Sequence, residues 1–176
     1  YDHLTPFFTA QRLLTRDPAA YRAAAKRNVH HGYIHPTPPQ RPLITIMAEC
    51  AGIKSLDPAI DCATPPVAPR FAADIASLAK PLIVMQTLAS QWTPNKEWPE
   101  ASWHELVRLL TQEHEVVEVG THSAFAGGLA MPRFRSLVGR TSVAEFIHVV
   151  SRADVFVGPV SGGMHLADAF RVPAVV

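Results

Sequence analysis

The sequence has little cysteine, no excess charge of either sign and no long hydrophobic run. Its 176 residues include two cysteines, Cys50 and Cys62, outside any CxxC pair, which favours a reducing compartment over a disulfide framework. The net charge of +1 gives no general basis for binding nucleic acid or an anionic membrane. No apolar stretch approaches the ~20 residues of a membrane helix, and no signal pattern opens the chain. We therefore expect a soluble, cytoplasmic protein in which any anion binding is local.

Proline is abundant in the first part of the chain, in the segments HPTPPQRP and ATPPVAP. The pattern predicts a helix at 18–28, before the first segment, and another at 43–51, between the two segments, but does not determine a fold. The character of the sequence changes near residue 66, so we expect two regions, 1–66 and 67–176. The chain opens on Tyr1 and closes on an apolar strand, and we expect it to be a fragment of a longer protein.

From residue 67 onward, apolar strands alternate with amphipathic helices. This alternation predicts an α/β domain with a Rossmann-like parallel sheet and helices on both faces. The predicted helices are 70–79, 102–112, 143–151 and 163–170, and the predicted strands are 81–86, 115–120, 134–138, 155–157 and 172–176. Two Ser-x-x-Glu patterns predict capping boxes, at Ser102 with Glu105 and at Ser142 with Glu145. In helix 102–112 the predicted apolar face consists of Trp103, Leu106, Val107, Leu109 and Leu110.

A strand, a glycine turn and a helix follow one another in the segment DVFVGPVSGGMHLAD, residues 154–168. Gly162 and Gly163 allow a sharp turn and a close approach of the backbone to a ligand, and Ser161 is placed to cap the helix. The first N–H groups of the helix would then point at a negative group. The segment therefore predicts a phosphate site.

The loop 86–99 supplies further polar groups after a predicted strand. Thr87 and Ser90 carry hydroxyls, and Lys96 could neutralise a diphosphate. Ligands bind beyond the carboxyl ends of parallel strands, so this loop and the glycine turn are expected at the same edge. A solvated loop lysine is the alternative interpretation of Lys96.

These two segments resemble the carboxyl-terminal domain of the ADP-heptose:lipopolysaccharide heptosyltransferase family. The resemblance rests on K-x-W-P before a helix and on GRTSVAEFIHVVSRADVFVGPVSGGMHLADAFRVPAVV, and it covers residues 80–176. It implies a GT-B fold, with 1–66 as the end of an acceptor-side domain plus linker and 67–176 as a truncated nucleotide-sugar-binding domain. It also implies a bacterial enzyme of lipopolysaccharide biosynthesis, in the cytoplasm or at the inner face of the membrane.

The resemblance further implies inverting transfer of a sugar from a nucleotide diphosphate, such as ADP-heptose, to a hydroxyl. The acceptor would be a glycan, a lipid-linked molecule or a protein. No cofactor and no metal are implied, because amides, a helix dipole and a lysine stabilise the leaving diphosphate. The implied donor-binding residues are Lys96, Ser161, Gly162, Gly163 and His165, with added hydroxyls from Ser90 and Thr87. No catalytic base is assigned, since the family carries it near the start of the amino-terminal domain.

Two positions depart from the family pattern. Val160 stands where the family has an aspartate, and Arg171 stands where it has a glycine. Loss of one hydrogen-bonded charge costs about 1.5–3 kcal/mol of binding or transition-state stabilisation. We therefore expect a different donor, or an activity that is reduced or lost.

Two alternatives remain beside the transferase. A UDP-sugar 2-epimerase-like enzyme shares a Ser-Gly-Gly turn, and a non-catalytic binding or assembly subunit would explain Val160. The histidines His30, His31 and His35 lack the spacing of a metal site and are expected to be structural or in a loop. His165 is interpreted either as a general acid or as a buried, hydrogen-bonded histidine, and Asp168 as a surface or capping charge.

Overall fold

The structure is a computed structural model that describes residues 62–89 and 96–176, all within the unit Ile60–Val176 of the chain. Several predictions therefore fall outside the described residues. These are the helices at 18–28 and 43–51, the histidine cluster, Cys50 and Ser90. The division between 1–66 and 67–176 also stays a prediction.

The described part of the chain folds as a parallel sheet with helices on both faces, which confirms the predicted fold class. In chain order the elements are α1 (Pro69–Ala76), β1 (Leu82–Met85), α2 (Glu100–Leu110), β2 (Glu115–Glu118), β3 (Phe134–Ser136), α3 (Val143–Ser151), β4 (Val155–Val157), α4 (Gly162–Ala169) and β5 (Ala174–Val175). The five strands have the order β3-β2-β1-β4-β5, and every pair is parallel. The connections change direction at β1 and β4, so the carboxyl ends of these two strands form the crevice where such sheets bind ligands.

β1 is the central strand because all four of its residues are apolar and buried. Its Ile83 pairs with Val116 of β2 on one side and with Val155 of β4 on the other. Because side chains alternate between the two faces of the sheet along the strand, β1 contributes to two separate hydrophobic clusters. One cluster includes residues of α1, α3 and α4, and the other includes Trp103 and Val107 of α2. The sheet is therefore covered by one helix on one face and by three on the other.

Capping chemistry was predicted correctly for one helix and wrongly for another. At α3, Ser142 and Glu145 form the predicted capping box, with Ser142 Oγ accepting from the Glu145 N–H at 3.2 Å. At α2 the predicted box is wrong, because the helix begins at Glu100 with Pro99 as N-cap. Ser102 is thus inside the helix, and Glu105 instead accepts hydrogen bonds from Arg108.

Other boundaries differ by a few residues from the predictions. β1 and β2 end earlier than predicted, and β5 contains only Ala174 and Val175. Leu109, predicted on the apolar face of α2, is 50% exposed, because it lies to one side of the stripe that contains Trp103 and Val107. Val175 is 61% exposed in the structure.

The amino ends of β1 and β4 are joined by a carboxylate. Asp154, just before β4, accepts a hydrogen bond from the Leu82 N–H at 2.6 Å and forms an ion pair with Lys80 at 2.9 Å. The Leu82 N–H and then the Lys80 ammonium lower the pKa of Asp154. This contact fixes β1 and β4 relative to each other at the edge opposite the crevice.

Candidate functional site

A cleft of about 420 Å³ lies at the carboxyl edge of the sheet, over the crevice between β1 and β4. Glycines and hydroxyl-bearing residues form most of its wall. The lining residues are Gln86, Gly120, Thr121, Gly139, Thr141, Ser142, Val143, Phe146, Gly162 and Gly163. The loops after β1, β2 and β3 and the first turns of α3 and α4 therefore meet at one place.

The first turn of α4 presents N–H groups that are not used by the described part of the protein. Ser161 lies at the N-cap position, but its hydroxyl makes no capping bond and donates instead to Gln86 Oε1 at 3.0 Å. Ser161 thus occupies the predicted N-cap position, but the prediction that its side chain caps the helix is wrong. No described residue accepts a hydrogen bond from the N–H of Gly162, Gly163 or Met164. Such N–H groups at a helix start favour a negative group.

The two glycines of the turn have different roles. Gly162 is exposed, and a Cβ there would meet no atom within 4 Å, so it leaves open space at the cleft. A Cβ at Gly163 would lie 2.6 Å from both Gln86 Oε1 and Phe156 Cζ. We predicted that both glycines allow a close approach to a ligand, and for Gly163 the close approach is to the protein itself.

Gln86 connects the glycine turn to the loop after β1. It accepts the Ser161 hydroxyl at Oε1 and donates from Nε2 to the Leu88 carbonyl at 2.8 Å. A Cβ at Gly158 would lie 2.8 Å from the Gln86 carbonyl oxygen, so the backbones also approach closely. Gln86 was not among the predicted site residues. The available signal was an amide side chain directly after a fully apolar strand.

A buried carboxylate lies at the ends of β1, β2 and β3. Glu118 is 1% exposed and accepts hydrogen bonds from the hydroxyls of Thr87 at 2.8 Å, Ser123 at 2.7 Å and Ser136 at 2.8 Å. Thr87 is completely buried and does not line the cleft, so its hydroxyl is directed into the protein. Glu118 is a second residue that the sequence analysis missed, although a glutamate in the run EVVEV is an unusual strand residue.

At the start of α3, a capping box satisfies the N–H groups of Ser142 and Glu145. The Glu145 carboxylate accepts from the Ser142 N–H and hydroxyl, both at 2.8 Å, and these bonds lower the pKa of Glu145. Beside this polar cap, Val143 is 38% exposed and lines the cleft with Phe146. The α3 side of the cleft therefore combines an apolar surface with a negative charge, whereas the α4 side offers N–H donors.

A model of glycosyltransferase family 9 (heptosyltransferase) matches residues 44–176, which is more than half of the chain. The chain belongs to this family. The match confirms the heptosyltransferase resemblance that we derived from the lysine loop and the glycine turn. A comparison with curated proteins finds no match for this family 9 chain.

Solved structures of similar proteins support the family 9 fold. Escherichia coli ADP-heptose lps heptosyltransferase II is 22% identical, with a TM-score of 0.54 over 75% of this chain and 45% of that protein. The family 9 glycosyl transferase of Veillonella parvula is 13% identical, with a TM-score of 0.59 over 78% of this chain and 43% of that protein. E. coli heptosyltransferase WaaC with ADP is 19% identical, with a TM-score of 0.51 over 80% of this chain and 46% of that protein. The family 9 chain therefore spans less than half the length of these proteins.

The other residues singled out in the sequence do not line this cleft. His165 is exposed on α4, so the interpretation as a buried histidine is wrong, and Asp168 is exposed as predicted. Val160 is 48% exposed, one residue before Ser161. Lys96 is exposed and lies at a different cavity, of about 720 Å³, on the α2 face beside Trp98.

The described part of the chain offers neither a metal-binding cluster nor a membrane-crossing helix. Among residues 62–89 and 96–176, no group of three or more histidine, cysteine, aspartate or glutamate side chains is placed to hold a metal ion. No helix in the same residues has the length and apolar character to cross a membrane.

Proposed function

We propose that this chain is the donor-binding part of a glycosyltransferase that transfers a sugar from a nucleotide diphosphate to an acceptor hydroxyl. The observation that carries the proposal is the start of α4, where N–H groups that have no acceptor among the described residues border the cleft beside the open position of Gly162. Membership of family 9 supports the same reaction class. A diphosphate at this turn would supply the acceptors that the backbone lacks.

The two helix starts that meet at the cleft favour one orientation of the nucleotide. The α3 start carries the Glu145 carboxylate and has its own cap, so a phosphate there would be repelled. The α4 start has no side-chain cap and carries no acidic residue in its first turn. We therefore place the diphosphate at α4 and the nucleoside toward Val143 and Phe146, whose side chains suit a flat base.

The proposed reaction is inverting and independent of metal. The acceptor oxygen attacks the anomeric carbon as the bond between that carbon and the diphosphate oxygen breaks, and the nucleotide diphosphate leaves. The proton of the acceptor hydroxyl passes to a general base, a role to which no described residue is assigned. The α4 amides, with Lys96 as the candidate counter-charge, would stabilise the negative charge that develops on the leaving group. His165, Ser161 and Ser90 remain proposed donor contacts.

The donor and acceptor are proposed from relatives. WaaC has been solved with ADP, and the dodecameric iron-containing heptosyltransferase TibC with ADP-D-beta-D-heptose. We propose an ADP-linked sugar as donor, a glycan, lipid-linked or protein acceptor, and a location in the cytoplasm or at the inner face of the membrane. Val160 in place of the family aspartate is proposed to alter the choice of donor.

Calorimetric titration with ADP and with UDP tests the proposal, with a matched pair of variants at Gly162. Gly162→Asp places a carboxylate at the start of α4, which suits the helix dipole but repels a phosphate. Gly162→Ala fills the same open space without charge. We expect ADP binding to wild type and to Gly162→Ala, and at least a tenfold loss for Gly162→Asp. Equal affinity of the two variants, or no binding of either nucleotide to wild type, would contradict the proposal.

Two further variants address the charge and the donor. Lys96→Ala should weaken ADP binding by about 3–10-fold if the lysine reaches the diphosphate. Val160→Asp should tighten or redirect nucleotide-sugar binding, and an unchanged donor profile would argue against a role in donor choice.

Val160 also supports the second candidate, a non-catalytic binding or assembly subunit that retains the fold. That candidate predicts nucleotide binding with no release of ADP or UDP from a nucleotide sugar in the presence of acceptor. A preference for UDP with conversion of the sugar instead of its transfer would favour the epimerase-like alternative.

A further inference from the structure

We propose that Glu118 is a positioning residue that fixes the loops after β1 and β2, together with β3, around the nucleotide cleft. This inference rests on the proposed function, because it states that nucleotide binding requires these loops to be held in fixed positions. Glu118 does not line the cleft itself. It acts through the hydroxyls of Thr87, Ser123 and Ser136.

The hydroxyls that contact Glu118 also accept hydrogen bonds from backbone N–H groups. Thr87 Oγ1 donates to Glu118 and accepts from the Ala124 N–H at 3.0 Å, which joins the loop after β1 to the loop after β2. Ser123 Oγ likewise accepts from the Phe125 N–H at 3.0 Å. The loop after β2 is thus held at consecutive backbone positions by side chains that Glu118 orients.

Every arm of this network ends close to a residue of the cleft wall. Thr87 directly follows Gln86, which holds Ser161 at the glycine turn. Ser123 belongs to the same loop as Thr121, and Ser136 precedes Gly139 on the chain that leaves β3. Movement of the network would therefore move the cleft wall on the side of β1, β2 and β3.

Packing alone does not call for a carboxylate at this position. A buried carboxylate is costly unless several donors satisfy it, whereas an apolar side chain in a strand flanked by Val117 and Val119 would avoid that cost. The carboxylate accepts from three separate segments at once, which an apolar residue cannot do. Glu118 therefore holds three segments in fixed positions, at a greater desolvation cost than an apolar side chain would have.

A matched pair of isosteric variants separates positioning from stability. Thr87→Val removes the hydroxyl that joins Glu118 to the Ala124 N–H. Thr111→Val, the control, removes a buried hydroxyl at the end of α2 that bonds only the Val107 carbonyl. We expect both to lower the unfolding midpoint, but only Thr87→Val to weaken ADP binding, by about 5–20-fold, and to speed amide exchange at residues 121–125. Exchange in α3 should not change.

The carboxylate itself is tested by two substitutions in the same full chain. Glu118→Gln keeps the size and one acceptor oxygen, so it should retain partial affinity for ADP. Glu118→Leu keeps only the volume and should bind ADP at least as weakly as Thr87→Val. A folded Glu118→Leu variant is identified by its circular dichroism and cooperative unfolding, and if it does not fold, Thr87→Val decides the question.

The outcomes distinguish this inference from the function on which it rests. If wild type binds neither ADP nor UDP, the proposed function fails. If wild type binds ADP and Thr87→Val binds it equally well despite faster exchange at 121–125, the network is structural and the positioning role is overturned. A parallel loss of affinity in Thr111→Val would also overturn it, because general destabilisation would then explain the effect.

Discussion

Arg171 has a left-handed backbone conformation, with φ of 57°, just after the end of α4. Its N–H donates to the Asp168 carbonyl at 2.9 Å, and the Val172 N–H donates to the Ala167 carbonyl at 2.8 Å, which together form a Schellman motif. Glycine suits this position best because it has no Cβ. The left-handed conformation at position 171 therefore explains why the family pattern has glycine there, where this chain has Arg171.

We expect Arg171→Gly to raise the free energy of unfolding by about 1 kcal/mol, because it relieves the left-handed conformation of a residue with a Cβ. Urea denaturation followed by circular dichroism measures the change. Arg133→Gly, at φ of 59°, is the comparison and should gain less, because Arg133 also donates to the Gln112 carbonyl. An Arg171→Gly variant no more stable than wild type would contradict this account.

The glycines of the turn should respond differently to alanine. Gly163→Ala is expected to cost about 1–3 kcal/mol of stability, because the new methyl group would overlap Phe156 and Gln86. Gly162→Ala should change stability by less than about 0.5 kcal/mol, because its Cβ enters open space. Thermal unfolding of the two variants provides the comparison. Equal costs would mean that Gly163 is not required by packing.

At the scale of elements, the capping box of α3 makes a stability contribution that depends on pH. Hydrogen bonds from Ser142 lower the pKa of Glu145 from its ordinary value of 4.5. A lowered pKa means that the contribution is complete above the unfolded-state pKa and is lost as the pH falls through the folded-state pKa. Ser142→Ala should therefore cost about 1 kcal/mol at pH 7. Denaturation at pH 7 and at pH 3 should show a smaller cost at pH 3, and a cost that does not change would contradict the role of the carboxylate.

The capping boxes also show what local sequence can and cannot predict about elements. Both boxes have the same Ser-x-x-Glu pattern, yet only Ser142 begins its helix, because Pro99 starts α2 before Ser102 is reached. Strand order was predictable only as a class, since alternation of strands and helices indicates a parallel sheet but not which strands are neighbours. The glycine turn was placed correctly because its geometry depends on adjacent residues.

At the scale of the whole molecule, Asp154 joins the central strands across 72 positions of sequence. Asp154→Ala should lower the free energy of unfolding by about 1–2 kcal/mol, a value reduced for its partial exposure, because the Leu82 N–H loses a charged acceptor. Lys80→Ala should cost less, at about 0–1 kcal/mol, because it removes an exposed ion pair and a bond to the Arg152 carbonyl. Chemical denaturation at pH 7 tests this order, and a larger effect of Lys80→Ala would reverse the assignment.

Long-range pairs explain why the walls of the site could not be predicted. Glu118 and Thr87 are 31 positions apart, and Ser161 and Gln86 are 75 positions apart. Nothing local in the sequence indicates that Thr87 is directed into the protein or that the Ser161 hydroxyl leaves its own helix. The backbone donors of the glycine turn could be predicted from its residues, whereas the side chains that hold it depend on strand order.

The close packing around Gly158 and Gly163 limits which substitutions this chain can accept during evolution. The side chains of Gln86 and Phe156 lie 2.6 Å from a Cβ built at Gly163, whereas the atom nearest to a Cβ at Gly158 is the Gln86 main-chain oxygen, which no substitution at residue 86 removes. A larger residue at Gly163 could persist in evolution only after shortening of the side chains at Gln86 and Phe156. Among descendants of this chain we therefore expect positions 86, 156 and 163 to change together while position 158 stays glycine, and a library that varies those three jointly should yield more folded variants than one that varies them singly.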